Sequence, residues 1–318
     1  LEDGDWHPDL LDLFGVPEAI LPEVRPSSGA FGVTTGEALG IEVPVAGIAG
    51  DQQAALFGQG CWKRGLAKNT YGTGAFLLLH TGRERVPSEH GLLTTVACDE
   101  RGEPAYALEA SIFVAGAAIQ WLRDGLGLLD EAAESEAMAR SVEGNDDVYF
   151  VPAFVGLGAP YWEPDARGTI VGLTRGTERE HLVRAALEAM AYSTADALRA
   201  MAADSGVETR ELAVDGGASA NDWLMEFQAG VLGISVRRPA LVETTALGAA
   251  GLAGLAQGIW SDGDEFLESR EDARIFSPAM TEDDRDRLLE GWHRAVEASR
   301  SWAAAGSGHG EDDPGGGR

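Results

Sequence analysis

The chain has 318 residues, of which 44% are hydrophobic, so it can bury a core, and its length favours about two domains. Its 52 acidic residues outnumber 24 basic ones, and the net charge of −28 disfavours binding to nucleic acid or anionic membranes. Apolar segments stay shorter than the roughly 18 residues of a membrane helix, and the first residues lack signal-peptide features, which predicts a soluble, cytoplasmic protein.

The composition also indicates the salt concentration at which the protein works. Acidic residues are spread over the whole chain, and Lys63 and Lys68 are the only lysines, which favours a surface adapted to high salt. We therefore expect a haloarchaeal source, with an ordinary acidic protein from a non-halophile as the alternative. Cys61 and Cys98 are too few for a disulfide framework and have no partners at metal-ligand spacing, so we expect buried or incidental thiols.

The predicted elements change in character along the chain. The first group comprises turns at 26–40, a strand at 41–50, a helix from 51, paired strands within 67–82, antiparallel strands at 92–100 and 103–111, and a helix at 113–129. Strands and helices then alternate: strand 146–154, helix 179–203, strand 210–218, helix 220–233, strand 234–240 and helix 245–258.

A β-meander followed by β/α units is the element order of an α/β, RNase H-like (actin-like) domain. Residues 61–304 would hold one complete copy of that domain. Residues 1–60 would be the tail of a preceding domain, and the low-complexity segment 305–318 is predicted to be disordered.

A carboxylate stands where the predicted strand meets the predicted helix, in the segment GIAGDQQAALFGQG. Asp51 follows the strand directly, and open α/β sheets build their ligand clefts at such junctions. The alternative role is a helix N-cap, worth about 1 kcal/mol. Gln52 and Gln53 favour a ligand site, because amides beside a carboxylate can hydrogen-bond a polyhydroxy substrate.

Glycines mark two further candidate sites. In NTYGTGAF, Thr73 lies between two glycines, where backbone N–H groups and one hydroxyl can approach a phosphate without a Cβ in the way. In AVDGGASAND, Gly216 and Gly217 precede a predicted helix whose N-terminus could face a nucleotide. A plain hairpin turn and a capped strand–helix turn are the respective alternatives. Gly116, inside the predicted helix 113–129, costs about 1 kcal/mol unless something packs closely against it.

Six ordered segments together resemble the FGGY carbohydrate kinases, most closely the members that phosphorylate glycerol. They are IAGDQQAALFGQ, KNTYGTGAFLLLHTG, FVAGAAIQWLRD, VPAFVGLGAPYWEPDARGTIVGLTRGT, VDGGASANDWLMEFQAGVLG and TALGAAGLAGLAQG, and the resemblance extends over residues 8–302. It implies transfer of a phosphoryl group from ATP, with Mg²⁺, to glycerol, giving sn-glycerol 3-phosphate. It also implies a homodimer or homotetramer.

The resemblance further implies roles for individual residues. Asp51 matches the catalytic base, which would also contact Mg²⁺ through water, Gln52 matches a glycerol-binding residue, and Phe76 matches the apolar wall beside the glycerol carbons. The positions that match nucleotide-binding residues are Thr73, which would contact a phosphate, Gly116, Gln120, Gly217 and Asn221.

Two alternatives to glycerol phosphorylation stay open. Another FGGY kinase would act on a pentulose, a hexonate or a similar polyol, although Phe76 and the run Asp51-Gln52-Gln53 favour glycerol. A non-catalytic actin-like ATP-binding module is the second. Because residues 1–60 would be only a remnant of the family's first domain, we expect the isolated chain to be inactive as a kinase.

Overall fold

A computed structural model describes residues 1–271 and 273–307, so most of the segment predicted to be disordered, 305–318, lies outside the described residues. The strands are β1 (Ser28–Val33), β2 (Pro44–Gly47), β3 (Ala67–Tyr71), β4 (Ala75–Gly82), β5 (Leu93–Cys98), β6 (Pro104–Ile112), β7 (Tyr149–Val151), β8 (Thr169–Val171), β9 (Glu211–Gly216), β10 (Ser235–Arg238) and β11 (Arg274–Phe276). The α-helices are α1 (Pro8–Phe14), α2 (Gly36–Leu39), α3 (Asp51–Gly58), α4 (Gly116–Asp124), α5 (Glu134–Ser141), α6 (Arg179–Ser205), α7 (Asp222–Leu232), α8 (Thr244–Ala256), α9 (Gly263–Glu268) and α10 (Glu282–Ser307).

A mixed sheet with the strand order β11-β10-β9-β3-β4-β6-β5 forms the centre of the fold. Strand β3 pairs parallel with β9 and antiparallel with β4, and Tyr71 of β3 is in register with Gly216 of β9. The loops that follow β3 and β9 therefore leave the sheet at the same edge, the place where α/β sheets bind ligands.

Helices cover both faces of this sheet. One face carries the large core, in which Leu77, Leu79 and Leu108 pack with buried residues of α4, α6 and α7. The other face lies under α3 and α8, in smaller clusters that include Leu56 and Leu78. Because alternate strand residues point to opposite faces, the polar residues of β3 that share a face with Leu78 lie on the side of α3 and α8.

Glycines let α3 and α8 approach each other closely. A Cβ on Gly248 would lie 1.8 Å from the carbonyl oxygen of Ala54, and one on Gly58 would lie 2.1 Å from that of Thr244. Both distances are far shorter than van der Waals contact, so no larger residue fits without moving a backbone. This packing fixes α3, and with it Asp51, relative to α8.

The structure corrects several predicted elements. Residues 28–33 were predicted to form turns, but they form β1, because they pair antiparallel with β2 in a small separate sheet. The strand predicted at 41–50 is limited to β2, and the helix predicted at 113–129 is limited to α4, which ends at the C-cap Gly125. The sequence patterns also missed α5 and the long α10.

Both cysteines are free and buried, as expected. Burial raises the pKa of Cys61 and of Cys98 to about 12, so neither is a thiolate at neutral pH. Among the helices of the described residues, none combines the length and the apolar character needed to cross a bilayer.

Candidate functional site

Asp51 is the first residue of α3, and the N-cap of this helix is Gly50. The alternative prediction that Asp51 is the N-cap is therefore wrong. The backbone of Gly50 is still extended, with ψ of 152°, and helical geometry begins at Asp51, one residue earlier than a cap at Asp51 would need. The Asp51 carboxylate accepts hydrogen bonds from Gln52, at 2.8 Å from its backbone N–H and at 3.3 Å from Nε2. Asp51 is exposed and thus accessible to a ligand.

A buried lysine connects this helix start to the β3–β4 hairpin. The Nζ of Lys68 donates to Oε1 of Gln52, to Oγ1 of Thr70 at 2.9 Å and to the carbonyl oxygen of Phe76 at 3.2 Å. Lys68 has no exposed surface, whereas Phe76 is 37% exposed. Lys68 therefore brings Gln52, beside Asp51, together with Phe76, which matches the predicted substrate side of the site.

Acidic side chains from three elements surround Lys68. They are Asp51 at the start of α3, Glu109 on β6 and the buried Asp215 on β9. Burial lowers the pKa of Lys68 to about 8, although the negative charges of Asp215, Glu109 and Asp51 oppose that shift. Burial raises the pKa values of Glu109 and Asp215, and the charge of Lys68 counteracts both shifts. Strand register places Lys68, Glu109 and Asp215 on the same face of the sheet, within electrostatic reach of one another.

Lys68 is expected to make stability depend on pH. Its pKa is about 8 in the folded protein against an ordinary value of 10.5, so the unfolded chain holds this proton more tightly. The cost of burying the ammonium is present in full below pH 8 and falls as the pH rises towards 10.5. Urea denaturation at pH 7 and at pH 10 gives the free energy of unfolding of the unsubstituted protein and of Lys68→Met. The value for the unsubstituted protein minus that for Lys68→Met should rise by roughly 2 kcal/mol between these two pH values. A difference in the free energy of unfolding that does not change with pH would contradict this prediction. The control is Lys63→Met, which removes an exposed lysine and should show no such change.

The turn between β3 and β4 holds the start of α4. The carbonyl oxygen of Thr73 accepts from the N–H groups of Ala115 at 2.8 Å and Ala117 at 3.1 Å, and that of Gly72 accepts from Gly116 at 3.1 Å. A Cβ on Gly116 would lie only 2.7 Å from the Gly72 oxygen, which explains the glycine. These N–H groups at the start of α4 already donate to hairpin carbonyl oxygens, so they are not available to bind a phosphate. A phosphate at this edge would instead contact Thr73, which is exposed.

Gln120 lies on the same helix as Gly116, one turn further along. Residues four apart share one face of an α-helix, so Gly116 and Gln120 line the same side of α4. Gln120 is exposed and available to a ligand beside the hairpin.

The turn after β9 is shaped by Gly216, whose φ is +79° and whose Cβ would lie 2.2 Å from the carbonyl oxygen of Tyr71. Gly217 is exposed, and the position of its Cβ is open. Asn221 caps α7, with its side chain accepting from the N–H of Leu224 at 2.9 Å. The capped turn is therefore present, and the nucleotide role of Gly217 and Asn221 stays a prediction.

The structure thus groups the predicted residues into three neighbouring places. Asp51, Gln52 and Phe76 lie around Lys68, while Thr73, Gly116 and Gln120 lie along the hairpin turn and α4. The third place, with Gly217 and Asn221, follows β9, whose end is in register with the end of β3. The sequence reasoning missed Lys68, Glu109 and Asp215 as members of the site. A lysine inside an otherwise uncharged strand, AKNTY, was the available signal.

Comparison with protein families and curated relatives gives consistent matches. The model of the C-terminal domain of the FGGY family of carbohydrate kinases matches residues 67–257, and that of the N-terminal domain matches residues 1–58. The chain is 57% identical over 300 residues to a glycerol kinase of Petrotoga mobilis and 57% identical over 298 residues to one of Caldanaerobacter subterraneus. Each alignment covers 94% of this chain and 60% of the relative, so the chain spans about 60% of the length of these relatives.

Solved structures show the same similarity. The crystal structure of Plasmodium falciparum glycerol kinase with ADP matches with a TM-score of 0.86 and 36% identity, over 93% of this chain and 60% of that chain. A xylulose kinase from Lactobacillus acidophilus matches with a TM-score of 0.79 at 20% identity, over 94% of this chain and 61% of that chain, which supports the fold alone. These matches and the central mixed sheet confirm the predicted α/β, actin-like fold. The predicted domain bounds, 1–60 and 61–304, stay a prediction.

Proposed function

Because the chain belongs to the FGGY family of carbohydrate kinases, we propose that it serves to transfer the γ-phosphoryl group of ATP to glycerol, forming sn-glycerol 3-phosphate. The observation that carries the proposal is the exposed carboxylate of Asp51, hydrogen-bonded to Gln52, which Lys68 links to the β3–β4 hairpin that carries Thr73. The high identity to glycerol kinases favours glycerol over a pentulose or a hexonate.

In the proposed reaction, Asp51 orients a terminal hydroxyl of glycerol and accepts its proton as the new O–P bond forms. The bond from the γ-phosphorus to the bridging oxygen breaks at the same time, and ADP leaves. Gln52 donates from Nε2 to the substrate oxygen, and the Phe76 ring contacts the glycerol carbons. Phosphoryl transfer depends mainly on such positioning and on charge stabilisation, so each group contributes by fixing the attacking oxygen in line.

Thr73, Gly116, Gln120, Gly217 and Asn221 form the proposed nucleotide side. The Thr73 hydroxyl would contact a phosphate, while Gly116 lets α4 approach the hairpin closely. The exposed Gly217 offers an open surface after β9 for the adenosine.

The residues present fit a Mg²⁺ ion that arrives with the nucleotide. Within the described residues, no group of three or more His, Cys, Asp or Glu side chains could hold a metal by itself. Magnesium in such enzymes keeps several waters and is bound through one or two carboxylates and the substrate phosphates. Asp51 supplies an exposed carboxylate for that purpose, through water, and the ion would neutralise phosphate charge.

A substrate panel tests the proposal on the product of the complete reading frame that encodes this chain, called here the complete gene product. ADP formation with ATP and Mg²⁺ is measured with glycerol, xylulose and gluconate as acceptors. We expect kcat/KM for glycerol to exceed the others by at least about 100-fold, since the additional carbons and hydroxyls of xylulose and gluconate would clash or stay unpaired in a site that fits a three-carbon triol. ATP binding without turnover on any acceptor would favour the non-catalytic alternative. The isolated 318 residues should show no turnover.

The environment and assembly are also proposals. The net charge of −28 favours function at high salt, and the same assay at low and high KCl tests this, because salt screens acidic self-repulsion. The two curated relatives reported above, from Petrotoga and Caldanaerobacter, are bacterial and give no support to a haloarchaeal source. A cytoplasmic location suits an ATP-dependent enzyme and is checked by cell fractionation, and a homodimer or homotetramer is checked by light scattering.

A further inference from the structure

Lys68 is a buried, charged residue that has no role in the proposed reaction as described above. Its side chain has no exposed surface, and its Nζ is enclosed by Gln52, Thr70 and the carbonyl oxygen of Phe76. Taking an ammonium out of water costs free energy, and an apolar side chain of similar volume would fill the same space without that cost. This position beside Asp51 therefore points to a role beyond packing.

The hydrogen bonds of Gln52 show what the ammonium does there. A lysine ammonium has three donors and no acceptor, so the amide atom that faces it must be the oxygen, Oε1. The NH₂ group of the same amide then points away from Lys68, and its Nε2 lies 3.3 Å from Oδ2 of Asp51. A flipped amide would place its NH₂ against the ammonium and its oxygen against the carboxylate, and both contacts would be repulsive.

We propose that Lys68 is a positioning residue that holds the Gln52 amide with its NH₂ group towards Asp51 and the substrate, an inference that rests on the proposed phosphorylation of glycerol. Lys68 itself does not touch the substrate. A hydroxyl that enters the site meets a donor at Gln52 and an acceptor at Asp51. Its oxygen is thus held by the amide while its proton faces the carboxylate, which is the arrangement that the transfer requires.

The same ammonium also links the substrate side of the site to the phosphate side. It bonds α3 through Gln52, and it bonds the β3–β4 hairpin through Thr70 and Phe76. The tip of that hairpin carries Thr73, on the proposed phosphate side. Charge-assisted hydrogen bonds are about twice as strong as neutral ones, so Lys68 resists displacement of the substrate side relative to the phosphate side.

A double-mutant cycle on the complete gene product tests this role. Lys68→Met should lower kcat/KM for glycerol about 10- to 30-fold, while KM for ATP changes by less than about twofold, because a supporting contact to one substrate-binding residue is lost. Since Lys68 acts through Gln52, the variant Lys68→Met/Gln52→Ala should be no more than about threefold worse than Gln52→Ala alone. The control is Lys63→Met, at an exposed lysine paired with Asp264, which should match the unsubstituted protein.

Other outcomes overturn the inference. Unchanged kcat/KM in Lys68→Met, or losses that multiply in the double variant, would show that Lys68 does not act through Gln52. If Lys68→Met does not fold, Lys68→Gln replaces it in the same cycle, and failure of both to fold would assign Lys68 a purely structural role. An unsubstituted protein with no glycerol phosphorylation would instead refute the proposed function.

Discussion

Asp51→Asn in the complete gene product is expected to lower kcat for glycerol phosphorylation at least about 100-fold, the usual size of the loss when a general base is removed. The amide keeps nearly the size and shape of the carboxylate, so KM for glycerol should change little. It cannot accept the proton of the attacking hydroxyl, and it brings no negative charge to the metal–nucleotide complex. Steady-state kinetics with saturating ATP measures the effect.

The control for this substitution is Asp9→Asn. Asp9 is likewise an exposed acid in the first turn of a helix, α1, and therefore matches Asp51 in charge and local geometry. We expect its kinetics to match those of the unsubstituted protein. A fully active Asp51→Asn would refute the assignment of Asp51 as the base, even if glycerol is the correct substrate.

Gly248→Val is expected to destabilise the protein by about 3 kcal/mol or more, at the upper end of the cost of overpacking. A Cβ at this position would lie 1.8 Å from the carbonyl oxygen of Ala54, which belongs to the backbone of α3 and cannot rotate away. The clash must be relieved by moving α3, and Asp51 begins that helix. A displacement of about 1 Å at a reacting group can cost roughly 100-fold in rate, so activity should fall together with the free energy of unfolding from urea denaturation.

The matched control is Ala250→Val in the same helix. Ala250 is exposed, so this variant introduces the same β-branched side chain without the contact to α3, and it should cost well under about 1 kcal/mol. Equal destabilisation by both variants would mean that helix propensity, rather than the close approach of α3 and α8, determines the cost at Gly248.

Much of this fold follows from local patterns along the chain. The tight glycine turn Gly72-Thr73-Gly74 between two short extended runs predicted the β3–β4 hairpin, and segment 179–203 was predicted to form the helix that is α6, because turn and helix signals are local properties. Segment 28–33 was predicted as turns because its glycines and serines resemble a turn locally, although pairing with β2 makes it a strand. Such long-range pairing lies outside any local window.

The sequence by itself determined the order of the main central strands and helices, the resemblance to the FGGY kinases, and the placement of Asp51 and Gln52 at the start of a helix that follows a strand. Only the tertiary structure decided that Lys68, Glu109 and Asp215 lie on one face of the sheet, where each affects the pKa of Lys68 or has its own pKa affected by it. These residues are far apart in the chain and come together because β3 pairs with β9 on one side and lies next to β4, then β6, on the other. Sheet order depends on which strands bury one another, and no spacing along the sequence reports that.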